Sequence, residues 1–81
     1  METNQIIEKL TEIFRDVFAE PELTISEEMT AADVERWDSL TNMQMITEVE
    51  NQFGIKFKLK DLRKLNRVGD LIDTIAARLA E

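Results

Sequence analysis

Apolar residues recur at helical spacing in three stretches of the chain and alternate with polar ones in a fourth. Over residues 4–19, Ile6, Leu10, Ile13, Phe14 and Val17 stand three or four apart, widened by Ile7 and Phe18, with Glu8, Glu12 and Asp16 outside the stripe. This predicts a first helix, opened by Thr3 or Asn4 and stopped by Pro21, which lacks a donor and restricts Glu20. Over residues 39–53, Leu40, Met43, Ile46, Val49 and Phe53 form a second stripe with Met45 off its centre. Gly54 supplies the left-handed residue that ends such a helix. A last helix over residues 68–79 is predicted by Val68, Leu71, Ile72, Ile75, Ala76 and Leu79, with Asn66 as its cap.

The stretches between are as informative. Residues 21–37 have no sustained period, yet Leu23, Ile25, Met29 and Val34 are spaced through them like anchors, which predicts an ordered loop packed along the helices. Within it, Thr30-Ala31-Ala32-Asp33 has the form of a capping box and predicts a single turn near residues 31–35. Ile55, Phe57 and Leu59 alternate with Lys56, Lys58 and Lys60, a strand pattern by period, but a lone strand has nothing to pair with. The segment therefore reads as an extended connector into a short helix at residues 59–65, with Leu62 and Leu65 inward. If the second and last helices run the same way, residues 54–67 must carry the chain back along about 22 Å at 1.5 Å per residue. The fold class is an all-α, four-helix bundle in a single domain over residues 1–81, without repeats.

Composition narrows the chemistry. Of 81 residues 43% are hydrophobic and 33% charged, which fits one small core. A chain this short buries roughly 60% of its unfolded surface, and without Cys no disulfide adds to that. The absence of His as well as Cys excludes a Ser-His-Asp triad, a Cys-His pair and an imidazole or thiolate zinc site. No apolar run approaches the ~20 residues of a membrane span, and Met1-Glu2-Thr3-Asn4-Gln5 does not resemble a signal peptide, so a cytoplasmic protein is expected. The net charge of -7 argues against nucleic acid as a partner. It is unevenly spread: residues 1–55 hold three Lys/Arg against thirteen Asp/Glu, whereas residues 56–67 hold six against one.

Trp37-Asp38-Ser39-Leu40 joins the long loop to the second helix. Asp38 is placed to accept hydrogen bonds from the free N–H groups of the first turn, which sets Ser39 at the first helical position with its side chain outward. Its hydroxyl is the one candidate for covalent chemistry. A phosphate ester made there would meet the positive end of the helix dipole, while the absence of His and Cys argues against autonomous hydrolytic catalysis.

These residues resemble the acyl carrier family, which binds phosphopantetheine. Asp38-Ser39-Leu40 matches its attachment motif, and the long loop, Phe53-Gly54-Ile55 and Val68-Gly69-Asp70-Leu71 match around it, so the resemblance covers essentially the whole chain. It implies that a separate phosphopantetheinyl transferase attaches 4'-phosphopantetheine from coenzyme A to Ser39 with Mg²⁺. The thiol of that group would then carry acyl cargo to enzymes of fatty-acid, lipid or polyketide-type biosynthesis. The chain would be a monomeric, freestanding carrier and not an enzyme. Asp38 would help to place the metal ion during modification, with no resting metal site.

The resemblance further implies helices running up-down-down with a short third helix crossing between, and an apolar interior open to acyl chains beside Met43, Met45 and Ala76. It places partner recognition on Leu40, Met43, Thr47 and Glu50, with Glu48 and Glu50 available to basic partners. Three features depart from the family's pattern. Thr41, Gln44, Asn51 and Gln52 leave the second helix less acidic than in fatty-acid carriers, Trp37 replaces a small residue, and Lys56, Lys58, Lys60, Arg63, Lys64 and Arg67 form a basic run. Trp37 is expected to anchor the loop. The run is a solvated face or the docking site of an acidic partner. These differences favour a specialised carrier; the alternatives are a peptidyl or aminoacyl carrier, or an unmodified interaction module.

Overall fold

The computed structural model describes residues 2–81; residue 1 of the expected domain lies outside them. Four helices are present, α1 (Thr3–Val17), α2 (Ser39–Phe53), α3 (Leu59–Arg63) and α4 (Val68–Leu79), with one 3₁₀ turn at Ala31–Asp33. No strand occurs among the described residues. The alternating segment is an extended connector ending in a helix, as expected, although α3 stops at Arg63 and leaves Leu65 beyond its end.

Contacts at the helix ends fix the directions. Lys9, early in α1, donates from Nζ to the Gln52 carbonyl at 3.0 Å, while Phe14 and Phe18 at the other end meet Trp37 just before α2. α1 and α2 are therefore antiparallel. Ser39 and Leu71 line one cavity, so α2 and α4 start at the same end and the arrangement is up-down-down. The core lies between, built on Ile6, Leu10, Ile13 and Phe14 of α1, Met45, Ile46 and Val49 of α2, and Val68, Leu71 and Ile75 of α4.

The 21–37 loop is packed as the anchors predict. Val34 is buried and Leu23, Ile25 and Met29 pack against the core. Carbonyls of this loop also satisfy the first N–H groups of α4: Val68 donates to Met29 and Gly69 to Glu27, both at 2.8 Å. A Cβ on Gly69 would stand 3.0 Å from the Glu27 oxygen, so this close approach needs glycine.

Several expectations are corrected. Neither Thr3 nor Asn4 caps α1; Glu2 precedes it, and its N–H donates to the Gln5 side chain at 2.9 Å. Nor does Asn66 cap α4, because Asp70 reaches back to accept from the Asn66 and Arg67 N–H groups at 3.2 and 3.0 Å. α1 ends at Val17, well before Pro21, with Ala19 left-handed at φ 54°. The Glu20 and Ala19 N–H groups close back on the Arg15 and Asp16 carbonyls in a Schellman motif. In α2, Met45 is core whereas Leu40 and Met43 are 69% and 54% exposed. Ala76, expected inward, is exposed.

Candidate functional site

Ser39 is the first residue of α2 and is exposed. The helix start is set by a reciprocal box: the Thr41 N–H donates to Asp38 Oδ1 at 2.9 Å, and the Asp38 N–H donates to Thr41 Oγ1 at 2.8 Å. The Thr41 hydroxyl in turn donates to the Arg36 carbonyl at 2.7 Å, which ties the end of the loop into the same unit. The hydrogen bond from the Thr41 N–H holds Asp38's carboxyl below the usual carboxylate range, against an opposing effect of desolvation. Asp38 is thus the expected cap. Its reciprocal partner Thr41 was read only as an uncharged residue, although its place three positions on is the signal of a box.

Trp37 fixes this unit to the core. Its ring lies 5.2 Å from Phe14 and 5.3 Å from Phe18, and its Nε1 donates to Asn42 Oδ1 at 2.9 Å. The same ring faces a cavity of about 470 Å³ that opens beside Ser39. That volume falls within the ~300–1,000 Å³ of small-molecule sites. Met45, Leu62, Leu65 and Leu71 give it apolar walls, while Asp38, Ser39, Asn42, Asn66 and Arg67 are its polar members. Asn42, three residues after Ser39 on α2, was not read as a site residue although helical spacing places it near Ser39, whereas Asn66 and Arg67 were missed because only the segment after α3 brings them to the cavity.

The residues expected to face partners are divided. Leu40, Met43 and Thr47 share an outer hollow on α2 with Gln44 and Glu48. Met43 lines both this hollow and the cavity, so the two are contiguous. Glu50 lies apart: its carboxylate accepts from the Phe57 N–H at 2.8 Å and holds the connector against α2. Of the residues expected beside acyl cargo, Met43 and Met45 line the cavity and Ala76 does not.

The α3 wall is held from behind. Asp61 Oδ2 accepts from the Lys58 N–H at 2.8 Å, and Oδ1 accepts from Arg78 Nη2 at 2.9 Å. The Arg78 hydrogen bond, reinforced by the Lys58 N–H, keeps Asp61's carboxyl below its usual range, and Asp61 raises Arg78 in return. This buried pair, seventeen residues apart, has no counterpart in the periodicity of the sequence.

Comparison with known proteins places this geometry. Residues 8–75 match the family described as "phosphopantetheine attachment site". The acyl carrier protein of Thermosynechococcus vestitus is 31% identical over 99% of both chains, and that of Thermotoga maritima 29% identical over 93% of both. The solution structure of the holo acyl carrier protein from Geobacter metallireducens superposes with a TM-score of 0.86 at 42% identity, over 91% of this chain and 85% of that one. The crystal structure of the Thermotoga maritima acyl carrier protein gives 0.83 at 26% identity, over 99% and 93%.

Proposed function

The chain belongs to the phosphopantetheine-attachment family of acyl carriers, and from that premise we propose that Ser39 is its attachment residue. What carries the reading is exposed Ser39 at the start of α2, on the lining of a cavity that combines apolar and polar side chains. When bound, the 4'-phosphopantetheine group supplies a thiol that holds acyl cargo as a thioester; the chain itself has none.

The residues present fit such a group. The positive end of α2 would stabilise a phosphodiester on Ser39 and offset repulsion from Asp38, whose lowered pKa favours the ionised form. Asn42, Asn66 and Arg67 offer polar partners to an amide-bearing arm at the mouth of the cavity, and Met45, Leu62, Leu65 and Leu71 exclude water around an apolar chain. Asp38 also has the charge to help position Mg²⁺ while a separate transferase loads Ser39 from coenzyme A. Leu40, Met43 and Thr47 form a contiguous exposed surface beside Ser39 suited to the transferase and to enzymes that exchange acyl groups. Glu50, engaged by Phe57, contributes by holding the connector rather than by free charge. The chain works as a monomeric carrier in the cytoplasm, within fatty-acid, lipid or polyketide-type synthesis.

The test is intact mass after incubation with coenzyme A, Mg²⁺ and a promiscuous phosphopantetheinyl transferase. The wild-type chain gains one phosphopantetheine and Ser39→Ala gains none. A wild-type chain that stays unmodified, or a Ser39→Ala chain that is loaded, overturns the assignment.

A further inference from the structure

The one strongly basic surface of this acidic chain is unused by the fold. Lys56, Lys58, Lys60, Arg63, Lys64 and Arg67 are all exposed. Among the described residues only Arg67 of these six forms an ion pair, with Asp70. Asp61, the one acidic residue between them, is turned inward and neutralised by Arg78, so it does not cancel the surface charge. In the connector, burial of Ile55 and partial burial of Phe57 turn Lys56 and Lys58 outward. On α3, Lys60, Arg63 and Lys64 stand three and four apart and share a face. The cations therefore form one continuous surface. Leu59 lies within it, 65% exposed and flanked by Lys58 and Lys60.

We infer that the connector and α3 form a docking surface for a carboxylate-rich protein surface with an apolar recess for Leu59, presented by an enzyme that acts on cargo tethered at Ser39. Three observations favour this occupant. First, charge complementarity requires an acidic partner, since unpaired cations gain most from opposing carboxylates. Second, the surface is continuous with the cavity: Leu62, Leu65 and Arg67 belong both to this segment and to the cavity wall, so a protein seated here stands beside the cargo. Third, Leu59 is a single apolar side chain on a helix of five residues, enough for a recess in a protein and too little for the broad apolar face that seats a helix in lipid. The acidic residues 1–55 would repel such a partner, but the chain measures 33 × 25 × 22 Å, and charges more than about 8 Å away are largely screened at physiological salt.

The inference rests on the carrier reading, and their failures are distinguishable. The loaded wild-type chain and an Arg63→Glu/Lys64→Glu variant, which reverses charge but keeps Lys56, Lys58 and Lys60 as reactive amines, are treated with a zero-length carbodiimide in extract of the source cells, and the joined peptides are identified by mass spectrometry. The expected result is linkage of Lys56, Lys58, Lys60 or Lys64 to Asp or Glu of an acyl-processing enzyme. The yield should fall about tenfold in the variant and also at high salt. Leu59→Gln, which leaves every charge in place, should lower it severalfold. Both variants should load phosphopantetheine as well as wild type.

The inference is overturned if no such linkage forms, if the linkage survives charge reversal, or if the wild-type chain instead cosediments with phosphatidylglycerol vesicles and the variant does not. Failure of wild type to load removes the carrier reading and the inference with it. Normal loading without the linkage removes the docking surface alone.

Discussion

The cavity beside Ser39 has two walls built in different ways. On one side Trp37 is stacked into Phe14 and Phe18, whose rings meet edge-on at 5.2 Å and are fully buried. On the other, five-residue α3 and the turn after it supply half-buried Leu62 and Leu65, and α3 is held to α4 by Asp61 and Arg78. Aromatic packing distributes its stabilisation over many contacts, so it yields little to a local change. A short helix held by one ion pair opens when that pair is lost. The aromatic wall can therefore present Ser39 in a fixed place while the α3 wall adjusts to what the cavity holds.

The largest effect tests the stiff wall. Phe14→Ala removes a fully buried ring that touches both Phe18 and Trp37, and should destabilise the chain by ~3–5 kcal/mol. Urea unfolding followed by Trp37 fluorescence and by far-ultraviolet dichroism should show the two signals lost together at a much lower midpoint. If Trp37 fluorescence changes while the midpoint holds, the aromatic wall is a local ornament and the comparison breaks.

Asp61→Asn tests the soft wall and should act locally. It keeps an acceptor for the Lys58 N–H but takes from the Arg78 guanidinium, 12% exposed, the carboxylate that ties it to α3, leaving it paired only with Glu81. Amide exchange should speed up across residues 59–65 while α1 remains protected. Equal loss in α1 and α3 would show that the walls unfold as one. Acid should do the same by another route. Asp61's folded pKa is depressed, so its contribution is fully present above the ordinary value of 3.8 and is lost as pH falls through the lower folded value. Asp38 and Asp70 are depressed too and loosen the starts of α2 and α4 in the same range, so Asp61→Asn should remove only the acid-sensitive part that reports on α3.

The difference between the walls also explains what the sequence reveals. α1 is legible because its polar positions leave a single stripe, and the Asp38-Ser39-Leu40 junction because a cap and a helix start are local events. The α2 stripe was misread because Leu40, Met43, Ile46 and Val49 follow steps of three, each of which falls about 60° short of a full turn. Over three steps the drift reaches half a turn, so Leu40 faces solvent while Val49 is buried. The caps of α1 and α4 were sought before the helix, whereas Gln5 and Asp70 reach back from inside it. Asp61–Arg78 and the arrival of Asn66 and Arg67 at the cavity depend on how the chain packs after α2, which no local pattern encodes.

The smallest effect sharpens the comparison at the helix ends. α2 leaves toward the soft wall through Gly54 at φ 67°, a residue suited to that conformation. α1 ends beneath the aromatic wall through Ala19 at φ 54°, where a Cβ costs about 1–2 kcal/mol. Ala19→Gly removes that cost but gives the unfolded chain more freedom, a loss of ~0.4–1 kcal/mol. The balance is a stabilisation of about 0.5 kcal/mol, which should appear as a small rise in urea midpoint with an unchanged m-value. Exchange in residues 59–65 should not change, because the strain lies at the far end of α1 from the Asp61–Arg78 pair. A fall in midpoint would mean that aromatic packing already absorbs the strain at Ala19, and slower exchange in α3 would mean that the two walls are mechanically linked.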